Sequence, residues 1–315
     1  MIALADIEAA RERIAGAAIR TPLVRLPVAD APADVYLKLE NLQPISSFKI
    51  RGATNAVRLA PPSATADGLL TASAGNMAQG VAWAARSLGV PATIAVPEHA
   101  PEAKLAAIAR LGGQVVKLPY DDWWNVIVTS HLDGAEGLFV HPVQDPAVMA
   151  GNGTIGLEII EDLPAPDAVV IPYGGGGLAT GIASAIRALR PETKIYTAEP
   201  ETGAALAAAL AAGHPADVDY RASFVDGAGS RRVLDSMWPL VTPLVDEALA
   251  IPVADVAAAV RLLAERARVI AEGAGALAVA AALAGRAGTG KVVCVVSGGN
   301  INLSKLADIL NGADG

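Results

Sequence analysis

The chain has 315 residues, 53% hydrophobic and 18% charged, with a formal net charge of −8 and a sequence pI near 5.1. That length suffices for two domains around a large core, and an acidic chain without clustered Lys and Arg is a poor nucleic-acid surface. The mean hydropathy of +0.42 comes mostly from alanine; the longest such run, AALAAALAA from Ala204 to Ala212, is too short to span a bilayer and predicts a buried helix instead.

The first segment, MIALADIEAARERIAG, mixes acids and bases with its apolar residues and lacks the separate basic and apolar regions of a secretory signal. A cytoplasmic location is therefore expected, with no membrane partner. After the extended-looking VYLKLE and SSFKIRGA, short β-rich runs alternate with alanine-rich helical runs: GLLTAS, MAQGVAWAARSLG, ATIAVP, PEAKLAAIARLG and QVVKLP, then DAVVIPY, KIYTAEP and KVVCVVSGG. This is the βαβ rhythm of parallel sheets, and continuously apolar strands predict helices on both faces. The fold class expected is α/β. Composition marks no domain boundary. The single cysteine, Cys294 in VVCVV, cannot form an internal disulfide and reads as a core thiol. His99, His131, His141 and His214 have no metal-ligand spacing, so no zinc site is expected, and for an acidic chain without clustered bases a small molecule is the expected partner.

Three strand-to-helix loops carry the chemical signal. In VVIPYGGGGLATGIASAIRAL, four glycines, Gly174 to Gly177, follow an apolar strand and open a helix. Residues without Cβ let the backbone approach an anion, and the free N–H groups of a first helical turn bind phosphate. The loop also satisfies G-x-G-x-x-A through Gly174, Gly176 and Ala179, with Glu199 ending the next strand, so a dinucleotide fold stays open at this point. In SAGNMAQG, the amides with Ser73 and Asn76 suit a carboxylate at a helix N-terminus, although for Ser73 taken alone an ordinary N-cap is the better reading. SGGN, Ser297 to Asn300, places a serine at a strand's carboxyl end, where ligands of α/β sheets bind. Lys49, between Phe48 and Ile50, then reads as a Schiff-base lysine, because partial burial lowers an amine's pKa.

SSFKIRGA, SAGNMAQG, GGGGLATG, EGAGA and SGGN, in this order over nearly the whole chain, resemble the fold type II pyridoxal-phosphate enzymes, above all the threonine/serine dehydratases (ammonia-lyases) and serine racemases. This ordered set favours the cofactor over the dinucleotide. The resemblance implies a two-domain, tryptophan synthase β-like fold, with residues 1–59 and 146–315 as the large cofactor-binding domain and 60–145 as the small substrate-loop domain. It implies pyridoxal 5'-phosphate attached to Lys49, with Phe48 packing near it and Asn76 bonding its 3-hydroxyl. Gly174, Gly175, Gly176, Gly177 and Leu178 would hold its phosphate. Ser297 would face the ring nitrogen, where a neutral hydroxyl leaves that nitrogen largely unprotonated, a setting that favours elimination over transamination. Glu272 in EGAGA matches a glutamate near the cofactor, without the family's flanking proline and serine. Lys49 would take the Cα proton of an L-β-hydroxy amino acid such as threonine or serine, with a 2-oxo acid and ammonia as products. A homodimer or other homo-oligomer is implied as well.

Several positions depart from the family pattern. Serine racemases carry a second serine after Ser73; here Ala74 cannot move a proton, which predicts chemistry on one face only. Met77 replaces a usual histidine. Of a cation site found in some relatives, Glu199 and Gly203 remain but the aspartate position is Ala205, so no metal is expected. The substrate pocket is expected to include Ser73, Ala74, Gly75, Asn76, Met77, Ser230 and one or both of Trp123 and Trp124, which would suit a bulky substrate such as phenylserine. A β-replacement synthase and a non-catalytic pyridoxal-phosphate binder are the alternative readings.

Overall fold

A computed structural model describes residues 1–314. Among these residues the strands form two sheets. The larger has the order β1 (Leu23–Arg25), β2 (Asp34–Leu39), β10 (Lys291–Val296), β7 (Ala168–Pro172), β8 (Lys194–Pro200) and β9 (Glu247–Ile251), parallel apart from β1. The smaller is fully parallel, in the order β5 (Gly113–Leu118), β4 (Ala92–Pro97), β3 (Leu69–Ala72) and β6 (Leu138–Phe139). The fold is α/β, as the alternation of strands and helices requires.

The apolar runs follow from burial on two faces. In β10, Val292, Cys294 and Val296 pack against the alanine-rich helix Gly273–Leu283, while Val293 and Val295 meet the helices Pro146–Asp162 and Gly177–Leu189 on the other side. Small side chains let that first helix lie close to the sheet. Cys294 sits inside this layer, its thiol against the Ala278 carbonyl at 3.3 Å, and burial pushes its pKa up. The run Ala204 to Ala212 differs from its expectation of burial. Its helix, Ala205–Ala212, buries only Ala205, Leu206 and Ala209, and the Glu199 carboxylate caps it by accepting from Leu206 N (3.0 Å) and Ala207 N (2.9 Å). Among the described residues no helix is long and apolar enough to cross a membrane.

The helix Lys49–Leu59 lies at the seam between the two sheets. Ala53, Ala56 and Val57 join the core of the smaller sheet, beneath the helix Asn76–Leu88. On its other side it crosses Pro146–Asp162 almost backbone to backbone: a Cβ at Gly151 would stand 2.6 Å from the Arg51 carbonyl, and one at Gly52 would stand 2.7 Å from Val148 Cγ1. Only glycine permits that crossing.

One turn into this helix, the Arg51 guanidinium is fully buried between two carboxylates. It donates to Glu40 from Nε and Nη2, each at 2.8 Å, and to Glu158 from Nη1 (2.7 Å) and Nη2 (2.9 Å). Lys38, also buried, donates to Glu158 Oε2 (2.5 Å) and the Thr21 carbonyl (2.6 Å). Burial alone would neutralise Glu40, but Arg51 overrides it and holds that carboxyl below its ordinary range. In Lys38 burial prevails and lowers the pKa. Two acids and two bases balance, so the cluster tolerates burial as long as every member is present. Glu158→Ala would leave both cations short of a partner, and the expected loss is about 3–5 kcal/mol. Urea unfolding of holoprotein and variant measures it; a loss below about 1 kcal/mol would assign the cluster a minor structural role.

Candidate functional site

Lys49 is the first residue of its helix, and the residues before it are tied to the loop after β10. Phe48 N–H donates to the Ser297 carbonyl (3.1 Å), Gly299 N–H to the Ser46 carbonyl (2.9 Å), and Asn300 Nδ2 to the Ile45 carbonyl (2.8 Å). Ser47 and Gly298 form an antiparallel bridge, and Ser46 turns the chain through a left-handed φ of 54°. SSFK and SGGN are therefore one folded unit. Lys49 Nζ donates to the Pro142 carbonyl at 2.9 Å and lies 5.2 Å from the centroid of the Phe48 ring. Burial, with no carboxylate partner among the described residues, pushes its pKa down to about 8. A useful fraction of the amine is then neutral near physiological pH.

The glycine loop leaves the carboxyl end of β7, next to β10 in the sheet. From Gly174 to Ala179, no backbone N–H has an acceptor among the described residues; the first helical bond is Thr180 N–H to the Gly176 carbonyl at 2.8 Å. Unpaired amides heading a helix of this length form a cradle for an anion. Gly176 has φ +95°, which a side chain would strain, and Leu178 sends its side chain into the core below. The turn after His141 joins this loop to Lys49. His141 Nδ1, a neutral acceptor whose pKa burial lowers, takes Val143 N–H (3.0 Å) and Gln144 N–H (2.9 Å). The next residue along, Pro142, receives Lys49, while Val143 lies against the glycines, so that a Cβ on Gly175 would come within 2.4 Å of its Cγ2.

On the opposite side, the Ser73 hydroxyl accepts from Gly75 N–H at 3.2 Å and shapes the loop ahead of the helix Asn76–Leu88. Asn76 Nδ2 donates to Glu272 Oε1 (2.8 Å), and Asn300 Nδ2 donates to Asn76 Oδ1 (2.8 Å). Burial raises the Glu272 pKa to about 7, and the charge of Asp226 adds to the rise. These groups, with Gly75, Gln79, Lys104 and Gly227, line a cavity of about 70 Å³. Ser297 is buried at the end of β10, beside them in the loop that holds Asn300.

Some expected pocket residues lie elsewhere. Met77 is 2% exposed and belongs to the core under the smaller sheet, where the spacing Met77, Val81, Ala85 turns it inward. Trp123 packs over Ala72 and Ala95, donating from Nε1 to the Ala95 carbonyl at 3.2 Å, and Trp124 is 44% exposed. Ser230 N–H donates to the Gly203 carbonyl and its hydroxyl to the Arg232 carbonyl, away from the cavity lining. Ala74 is half-buried against the core of the smaller sheet. Lys104, Asp226 and Gln79 also line the cavity; Gln79 stands inside SAGNMAQG and Asp226 inside VDGAG, but no local pattern marks either as a site residue.

A family model described as pyridoxal-phosphate dependent enzyme matches residues 14–298. The chain is 40% identical over 316 residues to an L-threonine ammonia-lyase of Thermotoga maritima, covering 99% of this chain and 79% of that one. Among solved structures, maize serine racemase superposes with a TM-score of 0.90 at 30% identity, covering 98% of this chain and 96% of that one. The processed form of threonine deaminase isoform 2 from Solanum lycopersicum gives 0.88 at 33% identity, with 98% and 92% covered.

The cradle itself is testable with a simple anion. Gly175→Asp places a carboxylate among the unpaired amides and a side chain against Val143, and the affinity of the protein for inorganic phosphate should fall at least about tenfold. Calorimetric titration measures it, and unchanged affinity would remove these amides from anion binding.

Proposed function

This chain belongs to the pyridoxal-phosphate dependent enzyme family, and from that membership we propose that it is a lyase acting on an L-β-hydroxy amino acid such as threonine or serine, releasing a 2-oxo acid and ammonia. One observation carries the reading. An amine depressed to about pKa 8 is joined through Pro142 and Val143 to six unpaired amides, and through Phe48 to the loop of Ser297. That donor set fits a phosphorylated aromatic aldehyde: Gly174 to Leu178 for the phosphate, Lys49 for the carbonyl carbon, Asn76 for the ring hydroxyl and Ser297 for the ring nitrogen. When bound, pyridoxal phosphate supplies a carbonyl that reacts with amines and a ring that accepts electron density from the amino acid's Cα.

The remaining roles belong to the protein. Lys49, neutral in a workable fraction, is the base for the Cα proton. Amides of the loop from Ser73 to Asn76 face the substrate carboxylate at a helix N-terminus. Ser297 would offer the ring nitrogen a hydroxyl and no negative charge, a setting that favours loss of the β-substituent. Glu272, its pKa pushed up to about 7 by burial, accepts from Asn76 and would orient that amide toward the ring hydroxyl. Ala74 has no group able to carry a proton to the other face. Met77 lies in the core of the smaller sheet and Trp123 packs over Ala72 and Ala95. The same membership supports a homo-oligomer working in the cytoplasm, with residues 60–145 as the smaller domain.

The test is product analysis with the holoenzyme on L-threonine, L-serine and L-threo-phenylserine. The 2-oxo acid and ammonia should appear in equal amounts from threonine or serine, without D-enantiomer at a comparable rate, and Lys49→Ala should lower turnover by roughly a thousandfold or more. Turnover retained in Lys49→Ala, or racemisation as fast as elimination, would contradict the assigned roles.

A further inference from the structure

Lys104, on the helix Glu102–Arg110, meets Asp226 at the mouth of the cavity, Nζ to Oδ2 at 2.6 Å. Among the described residues it is the one ion pair that joins residues 60–145 to residues 146–314. Both side chains line the cavity, and Lys104 is the sole cation in that lining, facing the acids Asp226 and Glu272. Close by, the amides of Ala74, Asn76, Met77 and Ala78 have no acceptor among the described residues and head a helix of 13 residues. The cavity has a volume of about 70 Å³. The contacts Lys104 to Asp226, and Asn76 to Glu272 and Asn300, join side chains that line it.

We propose that Lys104 receives the carboxylate of the entering amino acid, and that Asp226 holds its ammonium in place until that exchange. The inference rests on the lyase reading and deepens it by naming a substrate-binding residue. The physical case is one of charge. The pair is 34% and 55% exposed, so it is weak and readily exchanged. An incoming carboxylate replaces one anion by another at the same ammonium, and Asp226 is released to water, where it is well solvated. The substrate's anion gains the cation together with the helix N-terminus, a site that Asp226 guards without filling. Asp226 is thus a competitor as well as a tether, and the two residues should respond oppositely to neutralisation.

The experiment titrates holoenzyme with L-alanine, which has the carboxylate and amine but no β-leaving group, by calorimetry, and compares KM and kcat for L-threonine. Lys104→Met should weaken L-alanine binding and raise KM by about tenfold or more with a much smaller change in kcat, and Lys104→Arg should restore most of the loss. Asp226→Asn removes the competing anion and should tighten L-alanine binding and lower KM, the opposite of Lys104→Met. Lys104→Met within about twofold of wild type, or Asp226→Asn weakening binding as much as Lys104→Met does, would overturn the proposal and leave a purely structural tether. A wild-type enzyme that releases no 2-oxo acid from threonine or serine would refute the lyase reading separately, because the L-alanine titration does not depend on turnover.

Discussion

The structure depends on keeping one guanidinium dry. Arg51 is two residues after Lys49 on the same helix, so their side chains point about 200° apart. With Arg51 clamped by Glu40 and Glu158, Lys49 is directed away from them to the Pro142 carbonyl. A buried ion cluster adds little net stability over an apolar core of the same shape. Its contribution here is orientation: the planar fork fixes the rotation of the helix, and the Gly52 to Gly151 crossing fixes its depth. Neither carboxylate of the cluster bonds Lys49 among the described residues, so its amine feels burial without a neutralising anion, and its pKa falls.

The second constraint lies between the two sheets. Asn76, Glu272 and Asn300 form a short chain of hydrogen bonds from the smaller sheet's first helix to two loops of the larger part. A full carboxylate charge at Glu272 would be costly in that burial, and its pKa near 7 shows how the cost is lowered. These bonds are few and polar, the kind of contact that opens without disturbing either core.

Much of this was legible in the sequence, for reasons that differ between residues. The glycine run and the lysine in SSFKIRGA were readable because their chemistry is local: amides of consecutive residues, and one amine between apolar neighbours. The parallel sheets were readable from unbroken apolar strands such as VVCVV. Glu158 was not, because its partners Lys38 and Arg51 are distant in the chain and only the folded crossing brings them together. Met77 lies in the core of the smaller sheet, where its spacing with Val81 and Ala85 on one helix face puts it. Glu199 acts in this structure as a helix cap, a role that depends on the turn after β8 and is invisible in a strand-end carboxylate.

The central claim is that Lys49 is a lysine whose amine the fold keeps partly neutral and holds next to an anion cradle. It is tested most directly by adding pyridoxal phosphate to the cofactor-free protein across a pH series, trapping with borohydride, and locating the label by peptide mass spectrometry. Label should map to Lys49, with an initial rate that rises as pH climbs and has its midpoint near 8, because deprotonation creates the reacting amine. Label spread over surface lysines, or a midpoint near the ordinary lysine value of about 10.4, would contradict the account.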